Sequence, residues 1–201
     1  TGVILPAKRR IELIKYAKYY DTYIVEDDYD SQFRFDGNPI QAMQYLDPER
    51  VIYVGTFSKT LMPALRIGYM ILPKALFEQV RKAKYMNDIY SPILEQKALA
   101  KFIETGAFDH HILTMRKLYL EKRNHLIDCI RHTFGNEVRI TGADVGLHFI
   151  ATFNNIVFTD NLIAELEKSG VEICALSKYC LNLSSKDKNS LIFGYGNTKI
   201  E

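Results

Sequence analysis

Cysteine is scarce in this sequence. Its 201 residues contain three, Cys129, Cys174 and Cys180. So few, and odd in number, they exclude a disulfide framework of the kind that staples small secreted domains, and they predict a reduced, cytoplasmic protein. Net charge is nearly absent as well: 26 basic against 24 acidic side chains leave +2. That balance excludes a broad field for gathering nucleic acid or anionic membrane. No apolar run is long enough to span a bilayer. There are no internal repeats and no low-complexity tract; "LSSKDKNS" is a polar loop. Metal-ligand spacings are missing too. No CxxC or HxxxH occurs, and the neighbours His110 and His111 do not share a helical face.

What remains is an ordinary globular composition, 47% hydrophobic and 25% charged, with enough length for one large domain or two small ones. "AKRRIELIKYAKYY" spaces Ile11, Leu13, Ile14, Ala17 and Tyr20 as one face of a helix opened by Pro6. "TYIVEDDY" reads as a buried strand, "PIQAMQYLD" as a short helix and "RVIYVGTFS" as a second buried strand. "RIGYMILP" is a third strand, stopped by Pro73. This alternation predicts an α/β fold with a mainly parallel sheet. The link between the second and third strands is too short for a parallel crossover, so the third is expected to run antiparallel.

Helices follow: "PKALFEQVRKAKYM", then "SPILEQKALAKFIETG", with Ser91 as N-cap, Pro92 at the first helical position and Gly106 as stop. A long helix runs over 108–135. The rest, "EVRITG", "GLHFIATF", "TDNLIAELEKSG", "VEICALS" and "SLIFGYG", forms a small α+β unit. Residues 1–115 and 116–201 are the expected domains.

Chemistry concentrates where strands end. In an open α/β sheet, ligands bind at the carboxyl ends of parallel strands. The first strand ends in Glu26, Asp27, Asp28, Tyr29 and Asp30. The second ends in Thr56, Ser58, Lys59 and Thr60, and Arg66 opens the third. Asp27 and Tyr29 are two apart, so an extended chain points them to one side. A carboxylate, a phenol, small hydroxyls, an amine and a guanidinium together suit one ligand. The hydroxyls and Arg66 suit a phosphate. The amine of Lys59 suits an aldehyde. Asp27 suits a protonated pyridine nitrogen, and Tyr29 a ring hydroxyl. Pyridoxal 5'-phosphate has all four groups.

Each residue also has a plainer reading. Acidic residues after a strand are commonly a solvated turn, and Asp28 and Asp30 are so assigned. Lys59 alone would be a surface lysine, Thr56 and Ser58 strand-end caps, and Arg66 a sheet-edge ion pair. Met115 and Tyr119 read as core, and His148 as a structural histidine. "RKLYLEKR" (116–123) reads as a solvated or dimer-facing helix side. A phosphoacceptor receiver domain also uses acidic residues, a hydroxyl and a lysine. It places the last two on separate strands, whereas Thr56 and Lys59 share one turn.

The segment from "IVEDDYDSQFRFDGNPIQAMQYLD" to "VIYVGTFSKTLMPALRIGYMILP" resembles the cofactor-binding segment of fold-type I pyridoxal-phosphate enzymes, the aspartate aminotransferase superfamily. "EDDYDSQF" with "GTFSKTLMPALRIGYM" most resembles the aminotransferase-like domain of MocR/GabR-type transcriptional regulators of the GntR family. The similarity continues through "HILTMRKLYLEKRNHL" and "GLHFI" to "LIFGYGN". It implies the C-terminal part of a large domain followed by a small one. It further implies that Lys59 joins the cofactor aldehyde, Asp27 meets the ring nitrogen and Tyr29 the ring hydroxyl. Thr56, Ser58 and Arg66 would hold the phosphate.

The implied function is effector sensing, with a small amine or amino acid as ligand and a homodimer as assembly. DNA would be bound through a winged-helix domain outside these residues. The alternative is an aminotransferase acting between amino acids and 2-oxo acids. "LIFGYGNTKIE" carries Asn197 where many aminotransferases hold a substrate carboxylate with arginine. Because the sequence opens on Thr1 and its similarity starts midway through the large domain, a fragment that is inactive alone is expected.

Overall fold

The computed structural model describes residues 4–37, 40–88, 92–182 and 184–198. They form two compact units, one of 5–32 and 38–114 and the other of 1–4, 33–37 and 115–201. The sequence reading gave 1–115 to a single domain. In the structure Phe33–Gly37 instead join the C-terminal unit. The pull on this stretch is visible. Phe33 is fully buried and meets Tyr119 edge to face at 4.9 Å, while Arg34 bridges to Val145.

The N-terminal unit opens with helix α1 (Ala7–Tyr19), which buries only Ile14 and Ala17. Strand β1 (Ile24–Asp28) follows, then the single-turn helix α2 (Met43–Leu46). Strand β2 (Val51–Thr56) lies parallel to β1, pairing Asp27 with Val54 and Asp28 with Gly55. Strand β3 (Gly68–Ile71) runs antiparallel to β2, with Thr56 opposite Gly68. The direction agrees with the short connection, which a 3-10 turn at Pro63–Leu65 completes. Ile14, Met43 and Val51 make a small core under β1 and β2.

Neither β1 nor β3 is the buried strand that its composition predicts. Val25 is 63% exposed, and all four residues of β3 are exposed. Apolar content reports the need for a cover, and within these residues one sheet face has none.

Helices α3 (Phe77–Asp88), α4 (Ile93–Glu104) and α5 (Ala107–Phe134) follow. Ser91, the expected cap of α4, lies outside the described residues. Pro92 occupies the N-cap position itself, in extended backbone, and not the first helical position. A proline's fixed φ suits either place. Gly106 ends α4 as expected, with φ of 74°. That left-handed geometry costs a glycine nothing.

In the C-terminal unit the rest of α5 packs on an antiparallel sheet. Its strands are β4 (Val138–Thr141), β5 (His148–Phe153), β6 (Cys174–Ala175) and β7 (Ser190–Gly194), in the order β4-β5-β7-β6. Helix α6 (Asp160–Lys168) is capped by Thr159, whose hydroxyl accepts from the Leu162 amide. Ile127, Ile130, Phe149, Phe153, Ile163 and Tyr195 are central to the core.

Arg123 corrects one reading. It is not on a solvated helix side but buried. It donates to the Asp36 carboxylate at 2.9 Å, to the Ala143 carbonyl at 2.8 Å and to Asn124 Oδ1. A buried guanidinium persists where its donors are satisfied in this way.

Candidate functional site

The carboxyl ends of β1 and β2 lie side by side because the strands are parallel. The antiparallel β3 brings its amino end to the same place. Asp27, Tyr29, Thr56, Ser58, Lys59 and Arg66 therefore gather at one end of the three-stranded sheet, all within the N-terminal unit. This is what the topology does for the site: six residues from three separate segments share one rim.

The acidic run at the end of β1 divides by strand alternation. Glu26 is half-buried and structural. Its carboxylate accepts from Arg10 at 2.9 Å and from the amides of Met43 and Gln44 at 3.0 and 3.1 Å, fastening α1 and α2 to the strand. Asp28 is not the solvated turn residue that the sequence suggests. It accepts from the Ser31 amide and hydroxyl at 3.1 and 2.6 Å and from the Tyr53 hydroxyl at 2.7 Å. Tyr53 is buried. Burial first, then its bond to Asp28, pushes that phenol well above its usual range, so it stays a donor.

Asp27 points the other way. It is exposed, and among the described residues no hydrogen bond or ion pair engages it. Two neighbouring carboxylates therefore have opposite standing: Asp28 is spent on the fold and Asp27 is free. Tyr29, half-exposed, is also held neutral. Its phenol is raised above its ordinary value, chiefly by the Asp30 carboxylate, then by burial, then by Asp27. A neutral phenol can donate a hydrogen bond.

The β2 end is a built turn. Thr56 Oγ1 accepts from the Ser58 amide and donates to Ser58 Oγ, both at 3.1 Å. The Leu61 amide closes the turn on the Phe57 carbonyl at 2.8 Å, and the Phe57 amide donates to Ile67. Lys59 stands exposed on this turn with no hydrogen bond or ion pair among the described residues. Arg66 is also exposed and unpaired there. Its φ of 51° is left-handed, unusual for a residue other than glycine. Such strain clusters at functional positions.

Gly55 shows why a glycine precedes this turn. Tyr69 lies over it from β3, so that a Cβ on Gly55 would fall 2.5 Å from Tyr69 Cζ. Gly55→Ala is expected to push the Tyr69 ring aside and cost about 1–3 kcal/mol. Denaturant unfolding measures it. Combining it with Tyr69→Ala should recover part of the loss, as coupled neighbours do; a purely additive pair would contradict the contact.

Sequence reasoning missed Glu26, the Asp28–Tyr53 bond, the Tyr69 cover and the partner of Thr60, whose carbonyl faces His111 Nε2 at 3.0 Å. All four are contacts between segments far apart in sequence, and no local pattern announces them. Among the described residues no cluster of His, Cys, Asp and Glu could hold a metal ion, and no helix is long and apolar enough to cross a membrane.

Residues 1–169 match the family of class I and II aminotransferases. The chain belongs to that family. An uncharacterised HTH-type transcriptional regulator of Bacillus subtilis, YhdI, is 38% identical over 97% of this chain and 41% of its own length. The probable rhizopine catabolism regulatory protein MocR of Rhizobium meliloti is 35% identical over 96% of this chain and 39% of its own. The chain thus spans about two-fifths of these regulators.

Among solved structures, a kynurenine aminotransferase of Pyrococcus horikoshii, in complex with PMP, superposes with a TM-score of 0.85. It is 26% identical, over 98% of this chain and 48% of that one. The α/β aminotransferase-like fold and the resemblance to MocR-type relatives, both read from the sequence, are borne out.

Proposed function

We propose that this chain is the cofactor-binding part of a MocR/GntR-type transcription regulator, in which pyridoxal phosphate senses a small amine or amino acid. The observation that carries the reading is the pairing of two unengaged groups, the Asp27 carboxylate and the Lys59 amine, on one rim beside a hydroxyl-rich turn. These residues fit the cofactor: each of its polar groups has a chemically matched partner, and Asp27, Lys59 and Arg66 make no hydrogen bond or ion pair among the described residues.

When bound, pyridoxal phosphate supplies an aldehyde that condenses with amines and a ring that draws electrons from the neighbouring carbon. Lys59 would hold that aldehyde. Asp27 would keep a proton on the ring nitrogen, and Tyr29 would donate to the ring hydroxyl oxygen. Thr56, Ser58 and Arg66 would take the phosphate. Release of Lys59 when a ligand amine takes its place would be the change that the rest of the regulator reads. DNA is bound by a winged-helix segment outside these residues, in a cytoplasmic homodimer.

The likeness to the kynurenine aminotransferase favours a second reading, transamination, in which Lys59 also moves a proton on the substrate.

Operator binding by the regulator, titrated with amines with and without pyridoxal phosphate, separates the two. The sensing reading expects a response that needs both. Asp27→Ala should weaken cofactor affinity about tenfold or more, since each pKa unit of lost pairing is about 1.4 kcal/mol, and should blunt the response. Asp28→Ala should leave the response but cost about 1–3 kcal/mol of stability, because it removes the carboxylate that accepts from the Tyr53 hydroxyl. Indifference of DNA binding to amines, with steady production of 2-oxo acid, would favour the aminotransferase.

A further inference from the structure

Helix α5 reaches the lysine turn through His111. Its Nε2 lies 3.0 Å from the Thr60 carbonyl, across 51 positions of sequence. A carbonyl oxygen only accepts, so Nε2 carries the proton and donates. Thr60 is almost completely buried, and its own hydroxyl has no hydrogen-bond partner among the described residues. One helical turn earlier, Phe108 meets Phe57 edge to face at 5.8 Å. Phe102 of α4 flanks the imidazole, with ring centres 6.4 Å apart. The hydrogen bond holds the Thr60 carbonyl, one residue beyond Lys59, against α5.

We infer that His111 is a positioning residue for Lys59: it holds the carbonyl of Thr60, the residue after the lysine, and so aims the amine without touching the ligand. The inference rests on the assignment of Lys59 made above. It is distinct from the metal role that adjacent histidines invite and from a merely structural histidine. Its effect is local to one turn, and an amide N–H placed at the same reach substitutes for it.

Two variants test it. His111→Phe keeps a ring against Phe102 but removes the donor; His111→Gln keeps a donor. Amide hydrogen exchange of the cofactor-free protein reads the turn alone. Exchange at Leu61, whose amide closes the turn, should quicken about tenfold in His111→Phe and return towards the unsubstituted rate in His111→Gln. Borohydride trapping of pyridoxal phosphate in the full-length regulator, with the modified lysine mapped, reads the amine. Trapping at Lys59 should slow several-fold in His111→Phe and recover in His111→Gln.

Unchanged exchange and trapping in His111→Phe would overturn the inference. So would equal damage in both variants with exchange raised throughout the N-terminal unit, the mark of a general structural role. If the unsubstituted regulator were trapped on another lysine, the assignment of Lys59 would fall and this inference with it. The exchange data would then still report whether the bond holds the turn.

Discussion

Lys59→Ala is expected to abolish covalent capture of pyridoxal phosphate by the regulator, the largest effect of any single substitution at the site. Borohydride reduction followed by peptide mapping should find the cofactor on the peptide containing Lys59 in the parent and nowhere in the variant. The expectation follows from what surrounds the amine. Lys59 sits on a turn where Thr56 bonds to Ser58, the Leu61 amide to the Phe57 carbonyl and the Thr60 carbonyl to His111 of α5. The lysine alone reaches outward. Because its side chain is exposed and makes no hydrogen bond or ion pair among the described residues, removing it should cost little stability, and loss of capture cannot then be charged to unfolding. Lys59→Arg is the sharper control. It keeps the positive charge and much of the stem, but a guanidinium does not condense with an aldehyde at neutral pH. It should be as silent as alanine. Capture retained in either variant would move the role to another lysine.

The site was legible in the sequence to the extent that its logic is local. A strand that ends in carboxylates and a strand that ends in "GTFSKT" are visible in the residues. Parallel pairing then follows from the α/β rhythm and brings the two ends together. Alternation separated Asp27 from Asp28, because side chains along a strand point to opposite faces.

What alternation could not do is say what Asp28 touches. Its partner Tyr53 lies 25 residues away on β2. The same holds for Glu26, which reads as one more acid in a polar cluster and proves to be the anchor for α1 and α2. His111 was legible only as an unsuitable metal ligand, since its acceptor is a backbone carbonyl and a carbonyl leaves no trace in sequence. The exposure of β3 also escaped the pattern. Tyr69, Met70 and Ile71 carry the composition of a buried strand, and burial depends on a neighbour that composition cannot name.

That exposure bears on the second large effect. The isolated 201-residue chain is expected to bind pyridoxal phosphate weakly, to perform no transamination and to self-associate. Affinity for a small ligand depends on enclosure as well as on polar groups, and most sites bury the greater part of what they hold. Here Asp27, Lys59 and Arg66 are all exposed. A ligand resting on them would meet one wall and keep its other face in water, where the bond to Lys59 is open to hydrolysis.

The apolar side of the sheet is equally open. Val25 is 63% exposed and Met70 48%. Next to them, a cleft of about 780 Å³ between β3 and α3 is lined by Val54, Met70, Leu72, Phe77 and Val80, with neither Lys59 nor Asp27 in it. Continuous apolar surface of this kind is rarely left to solvent, and a flat, exposed edge strand invites pairing with another chain.

Sedimentation of the isolated chain over a range of concentrations should therefore show oligomers. A charged substitution at the open face, such as Met70→Lys, should shift the population towards monomer without harming the small core formed by Ile14, Met43 and Val51. Spectroscopic titration with pyridoxal phosphate should give at most weak, non-saturating binding in either form. Tight one-to-one binding by a monomer would mean that the rim of Asp27, Thr56, Lys59 and Arg66 suffices alone, and enclosure would have to be dropped as the source of affinity.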